Sequence, residues 1–360
     1  MPSLDKQVDS ASQGFSPSMI LKLRRHSVST CQIKQLTPKS RECLHCLASY
    51  WLPKSVIQVP SSWCAAVLVA LFMGRTGDLY MLLSWRSATL RTYTGDMSLP
   101  GGKMDSGDWY IEETARREAF EEIGLLNDHW NVPLLCILEP FLATELVVTP
   151  VVVLILDNTL HPILNTNEVA SLFSHPLASF LTNTSPFHAS EPETIKVDYH
   201  ESFDIETSAS HGRKYLFTLH QFLTGWENDG IKPIFSLTAG IMIWVAMIGY
   251  DCNLEFLITA SEIPPLDEQI AWAMLSRPIF RHACKREGIN LSLMMRICGV
   301  KRSEFEAMKR ENDRQKWCGC QKRKEVEAVH SKREKVQQSS TWAGILESAA
   351  KEEGRQREVR

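Results

Sequence analysis

The segment from Leu99 to Leu125, L-P-G-G-K-M-D-S-G-D-W-Y-I-E-E-T-A-R-R-E-A-F-E-E-I-G-L, constrains the fold more tightly than any other part of the chain. It opens on Gly101 and Gly102 and runs into a helical stretch, residues 111–123, in which Glu118, Glu121 and Glu122 fall within five positions. On a helix, positions i, i+3 and i+4 share a face, so the three carboxylates project together beside the glycine turn. Carboxylates that close repel one another unless a cation lies between them. Oxygen-only ligands select a hard ion, Mg2+ or Mn2+, which keeps waters and recruits phosphate oxygens to fill its shell. Arg117, one residue before Glu118, can hold a carboxylate in the orientation such an ion needs. The plainer alternative is a surface helix whose acids simply pair with Arg116 and Arg117.

The surrounding pattern places this segment among strands. Residues 64–72 and 79–85 read as two strands joined by the turn G-R-T-G-D, a third strand precedes Pro100, and 134–142 and 146–156 are further strands, the last buried on both faces. Thr37-Pro38 opens a short capped helix. The apolar run L-T-A-G-I-M-I-W-V-A-M-I-G-Y, residues 237–250, is shorter than the ~20 residues a bilayer requires, so it reads as a buried helix and no membrane span is expected. Strands around a central helix, closed by this second one, make an α/β or α+β sandwich. Residues 1–35 read as a disordered tail, 36–260 as the main domain, 261–300 as a helical extension, and 301–360, dense in both signs of charge, as a helical or disordered tail.

The chain has 360 residues with 39 basic against 42 acidic side chains, a formal charge of -3, and nothing in that balance calls for nucleic acid as a partner. Ten cysteines without a regular framework fit a reducing intracellular compartment. Cys43 and Cys46 read as small apolar residues on one helix face rather than zinc ligands. Residues 10–41 lack acids, a composition similar to that of a mitochondrial transit peptide.

The 99–125 string resembles the Nudix box, G-x5-E-x7-R-E-U-x-E-E-x-G-U with U aliphatic. Its second half matches at Arg117, Glu118, Ala119, Glu121, Glu122, Gly124 and Leu125. The first half departs: counted back from Arg117 the box glutamate is replaced by Trp109, counted forward from Gly102 by Asp108, so one residue is inserted. In that family the glutamate mainly partners the box arginine. Residues 82–102 resemble the coenzyme A signature L-L-T-x-R-S-x3-R-x3-G-x3-F-P-G-G, with Arg86, Arg91 and Gly95 on their family positions. The resemblance, strongest to fungal coenzyme A diphosphatases, extends over about residues 36–260.

That resemblance implies a Nudix α/β/α sandwich with a mixed sheet that cleaves the diphosphate of coenzyme A or acyl-coenzyme A. It implies Mg2+ or Mn2+ held by Glu118, Glu121, Glu122 and a carbonyl at Gly101 or Gly102. Glu122 or Glu145 would take the proton, Arg117 would orient a carboxylate, and Arg86, Arg91 and Gly95 would bind substrate. Relatives are often peroxisomal, although the closing Glu358-Val359-Arg360 is not the usual peroxisomal address; mitochondrial or cytosolic placement stays open, as does the oligomeric state. Two other readings remain at this stage: cleavage of another nucleoside diphosphate derivative such as ADP-ribose or NADH, and a catalytically decayed Nudix binding module.

Overall fold

A computed structural model describes residues 36–90, 95–143, 145–156, 162–186, 198–208, 212, 214–225, 227, 231–258 and 263–317. The tail expected at 1–35, residues 318–360 and Arg91 lie outside these. Helix α1 (Pro38–Ser49) starts where the sequence places it, with the Thr37 hydroxyl accepting the Ser40 N–H at 3.2 Å and proline at the first position.

The main sheet has eight strands: β1 (Cys64–Met73), β2 (Leu79–Arg86), β3 (Met97–Ser98), β4 (Gly101–Lys103), β5 (Leu134–Ile137), β6 (Phe141–Leu142), β7 (Val147–Ile155) and β8 (Val169–Pro176). Its central path runs β3-β2-β1-β7-β5, with β4 on β1, β6 on β7 and β8 on β2. Only β1 and β7 pair in parallel, from Cys64 opposite Val147 to Phe72 opposite Ile155, so the sheet is mixed. The single strand expected over 134–142 is two strands with a break at Glu139-Pro140, since proline has no N–H to give to a ladder.

Strand alternation assigns the two faces. Ala66, Leu68 and Ala70 of β1 with Val151 and Val153 of β7 pack on Ala115, Ala119 and Ile123 of helix α2 (Ile111–Ile123). Val69, Leu71, Val152 and Leu154 point the other way, onto α1 and helix α3 (Leu237–Tyr250), through Leu44, Leu47, Ile241 and Val245. The result is an α/β/α sandwich with β7 buried on both faces. A second, three-stranded sheet, β9 (His200–Ser208), β10 (Lys214–Phe222) and β11 (Ile234–Phe235), joins it through α3. Among the described residues no helix is long and apolar enough to cross a membrane. Cys43 is fully buried on α1, beside Gly249 of α3, as a packing residue.

After α3 come α4 (Leu266–Ser276), α5 (Pro278–Arg286), α6 (Ser292–Ile297) and α7 (Arg302–Trp317), which share a core of their own with Ile57 and Val147. The boundary drawn at residue 300 from charge density falls inside this unit, because Phe305 of α7 is 8% exposed and belongs to its core. Phe305 and Met308, alone in a charged stretch with small or polar neighbours, are too weak a signal to read from composition. Removing residues 302–360, or making Phe305→Ala, should therefore destabilise the protein, by roughly 3 kcal/mol for the point variant. A thermal melt checks this, and an unchanged Tm in both would return the boundary to residue 300.

Candidate active site

Strand β4 carries Gly101 and Gly102 onto the start of β1, with Gly102 opposite Ala66. A Cβ on Gly102 would collide with the Glu118 carboxylate, and one on Gly101 with the Ala66 carbonyl. Gly101 leaves no room for a side chain because β4 lies against the β1 backbone, whereas a side chain at Gly102 would push the Glu118 carboxylate out of its place. At the far end of α2, Gly124 caps the helix at φ 68°, a left-handed conformation that returns its N–H to the last turn. The sequence signals thus fix both ends of the element that carries the acids.

The carboxylates differ sharply in setting. Glu122 is 4% exposed, and burial pushes its carboxyl up to about 8 against the pull of Arg86, with Glu118 and Glu168 adding to the rise. The Gly101 N–H donates to it and pulls in the same direction as Arg86. Glu118 is half-buried, and its pKa too is raised by burial, opposed by Arg117. Glu121 is half in solvent. Arg117 lies among them: one Nη donates to Glu118 Oε1 at 2.9 Å and Glu121 Oε2 at 3.3 Å, the other to the Lys103 carbonyl at 3.0 Å. Arg116, the other arginine of the plainer reading, turns away to Glu112 and the Val132 carbonyl and is 2% exposed.

The missing box glutamate has a replacement. Asp108 accepts from Arg117 through both oxygens, Nε to Oδ1 at 3.1 Å and Nη2 to Oδ2 at 3.0 Å. It also takes the Asp105 N–H and the Thr114 hydroxyl, each at 2.9 Å. These bonds, the Arg117 pair first, hold its carboxyl down at about 2. Trp109 is 87% exposed and contributes only its backbone N–H, to Glu113.

Arg86, from the end of β2, reaches this cluster. It acts electrostatically on Glu122, and its Nε is buried without a hydrogen-bond partner among the described residues. Across the ladder stands Val169, and next to it Glu168, which the sequence offers only within a stretch of lower-specificity resemblance and not as a site residue. Glu168 is half-buried, adds its charge to Glu118 and Glu122, and gives its carbonyl to the Ser87 N–H at 2.8 Å. The N-E-V triplet at 167–169 was its only sequence signal; its place beside Glu122 comes from the β2–β8 pairing. Glu145 is exposed on the turn before β7, and no hydrogen bond or ion pair ties it to the cluster among the described residues. Gly95 sits at φ 66° in the turn between β2 and β3, with its carbonyl accepting the Trp85 indole N–H at 3.1 Å.

Among the described residues no three His, Cys, Asp or Glu side chains form a finished metal cage. The set still suits a hard divalent ion. Its donors are all oxygen; ionisation of the buried Glu122 is opposed by burial, Glu118 and Glu168, and that of the half-buried Glu118 by burial, Glu121 and Glu168. A cation is the element that would let them ionise together.

The NUDIX domain matches residues 63–193. A mitochondrial Nudix hydrolase of Arabidopsis thaliana is 39% identical over 195 residues, which is 54% of this chain and 61% of the relative. A peroxisomal coenzyme A diphosphatase of Saccharomyces cerevisiae is 30% identical over 274 residues, 64% of this chain and 79% of the relative. One from Caenorhabditis elegans is 36% identical over 225 residues, 62% and 85% respectively. The chain belongs to the Nudix hydrolase superfamily, in the branch of the coenzyme A diphosphatases. It spans 61% and 57% of the two plant Nudix hydrolases it matches.

Proposed function

We propose that this protein hydrolyses the diphosphate bond of coenzyme A or acyl-coenzyme A, releasing 3',5'-ADP and 4'-phosphopantetheine or its acyl form. The observation that carries this reading is the meeting of two motifs: Arg86 of the 82–102 signature is near enough to Glu122 of the acid helix for its charge to act on that carboxyl. A diphosphate placed there would find a guanidinium on one side and the carboxylate group on the other. The names of the yeast and worm relatives support the same substrate, and we take peroxisomal placement from them.

Glu118, Glu121 and Glu122, with a carbonyl at Gly101 or Gly102, would hold Mg2+ or Mn2+. When bound, the ion supplies Lewis-acid stabilisation of the charge that builds on the diphosphate. Arg117 keeps Glu118 and Glu121 turned toward one point while Asp108 holds Arg117 itself. Glu122 or Glu145 would accept the proton of an attacking water, with Glu168, whose charge acts on Glu122, a further candidate. Arg86 brings fixed positive charge to the diphosphate without needing to be ordered at the moment of reaction.

The test is product analysis with coenzyme A, acetyl-coenzyme A, ADP-ribose and NADH, with and without Mg2+. Turnover that survives EDTA, or faster cleavage of ADP-ribose than of coenzyme A, would sink the reading. Arg86→Ala should lower kcat/KM by about one to two decades on coenzyme A and dephospho-coenzyme A alike, because Arg86 lies by Glu122. A loss confined to coenzyme A would instead put Arg86 on the 3'-phosphate.

A further inference from the structure

We infer that Lys232 is a positioning residue of this site, acting through the turn that fixes Arg86. It lies outside the NUDIX match at 63–193, in the segment between β10 and β11 of the second sheet. Its Nζ is 3.2 Å from Asp96 Oδ1, an ion pair across 136 positions of sequence that ties the second sheet to the β2–β3 turn. The Asp96 side chain is 12% exposed, so its charge depends on what surrounds it.

The turn that Lys232 grips is the one that places Arg86. The Arg86 N–H donates to the Asp96 carbonyl at 3.0 Å, and the Trp85 indole to the Gly95 carbonyl at 3.1 Å. A Cβ on Gly95 would stand 3.8 Å from Lys232 Cε and 3.9 Å from its Nζ, so the lysine stem lies along the turn itself. Strand β3, which follows, is two residues long and pairs only with Ser84 and Trp85. Beyond that ladder, Ser84 Oγ bonds Ser98 and the Thr238 hydroxyl donates to the Met97 carbonyl, but these hold β3 itself, and Asp96 just before it is held through its side chain by Lys232. The Arg86 Nε has no hydrogen-bond partner among the described residues, so no bond at that atom fixes the side chain, and the Asp96 carbonyl, on the residue that Lys232 grips, fixes the Arg86 backbone from which it projects.

The kinetic side of this inference rests on the diphosphatase reading; the structural side does not. The experiment compares wild type, Lys232→Met and Lys232→Arg by hydrogen exchange and by steady-state kinetics on coenzyme A with Mg2+. In Lys232→Met the Arg86 amide should exchange about tenfold faster while β7 amides keep their rates, and KM should rise ~10-fold with kcat falling less. Lys232→Arg should restore both to within about threefold, since it keeps the charge that Asp96 binds. Unchanged Arg86 exchange in Lys232→Met overturns the inference. So does faster exchange with KM unmoved, or a Tm loss that lowers active enzyme without altering KM. A wild type inactive on coenzyme A would remove the diphosphatase reading alone, and the exchange comparison would then decide Lys232 by itself.

Discussion

Glu122→Gln should abolish turnover, with kcat falling on the order of a hundredfold or more, and at the same time make the metal-free protein more stable at pH 8. The two effects have one cause. Burial, with Glu118 and Glu168 close by, raises the Glu122 carboxyl from 4.5 to about 8, although Arg86 and the Gly101 N–H pull it down. An acid whose pKa is raised on folding holds its proton more tightly folded than unfolded. Its stabilising contribution is full below about pH 4.5 and is lost as pH rises through about 8. Each tenfold gain in proton affinity is worth ~1.4 kcal/mol, so ionising Glu122 in the metal-free protein costs several kcal/mol. In EDTA, wild-type Tm should fall between pH 5 and 8, and Glu122→Gln should flatten that slope and melt at least about 5 °C higher at pH 8. Added Mg2+ should raise wild-type Tm at pH 8 and leave the variant nearly unmoved. An unchanged pH slope in Glu122→Gln, or near-normal turnover, would remove Glu122 from the centre of the site.

Asp108→Asn should be nearly as damaging, whereas Trp109→Glu should change activity less than about tenfold. The Asp108 carboxylate fills the fork of Arg117 with two bonds and is 7% exposed on its side chain. Asparagine keeps the size but removes the charge and turns an N–H2 toward guanidinium donors. Removing one partner of such a pair costs about 3 kcal/mol or more, and frees Arg117 to abandon Glu118 and Glu121. We expect kcat to drop about a hundredfold. The sign with pH is opposite to that of Glu122: an acid held down at about 2 stabilises the fold above its ordinary 3.8 and loses that contribution as pH falls toward 2. Acid unfolding of wild type should therefore show a loss between about pH 4 and 2 that Asp108→Asn lacks. A silent wild type rescued by Trp109→Glu would mean instead that the inserted residue had broken the site, and that this chain is a decayed enzyme.

Most of the frame was legible because its signals are local. The continuous apolar runs at 64–73 and 147–155, the helical spacing over 111–123 and the glycines at its two ends each report on neighbours a few positions away. The helix at 237–250 was readable for the same reason. Strand β8 and the three-stranded sheet were not, since their burial depends on partners far along the chain and their sequences carry no strong alternation. The acid trio and Arg117 were named from helical spacing, and Arg86 and Gly95 from resemblance. What replaced the box glutamate could not be chosen among Asp108, Glu112 and Glu113 by counting. Glu112 went to Arg116, Glu113 to the Trp109 N–H, and Asp108 to Arg117, once the loop closed back on the helix.

By itself, then, the sequence determined which side chains share the face of α2 and that glycine must stand against them, because both follow from the fixed geometry of a helix and from the absence of a Cβ. The tertiary structure alone decided which groups from elsewhere meet that face. Arg86 and Glu168 come together with Glu122 through the β2–β8 ladder, and Lys232 reaches Asp96 from the second sheet. It also decided the setting of each acid, since Glu122 and Glu121, one position apart in sequence, are respectively buried and half in solvent, and burial raises the Glu122 carboxyl.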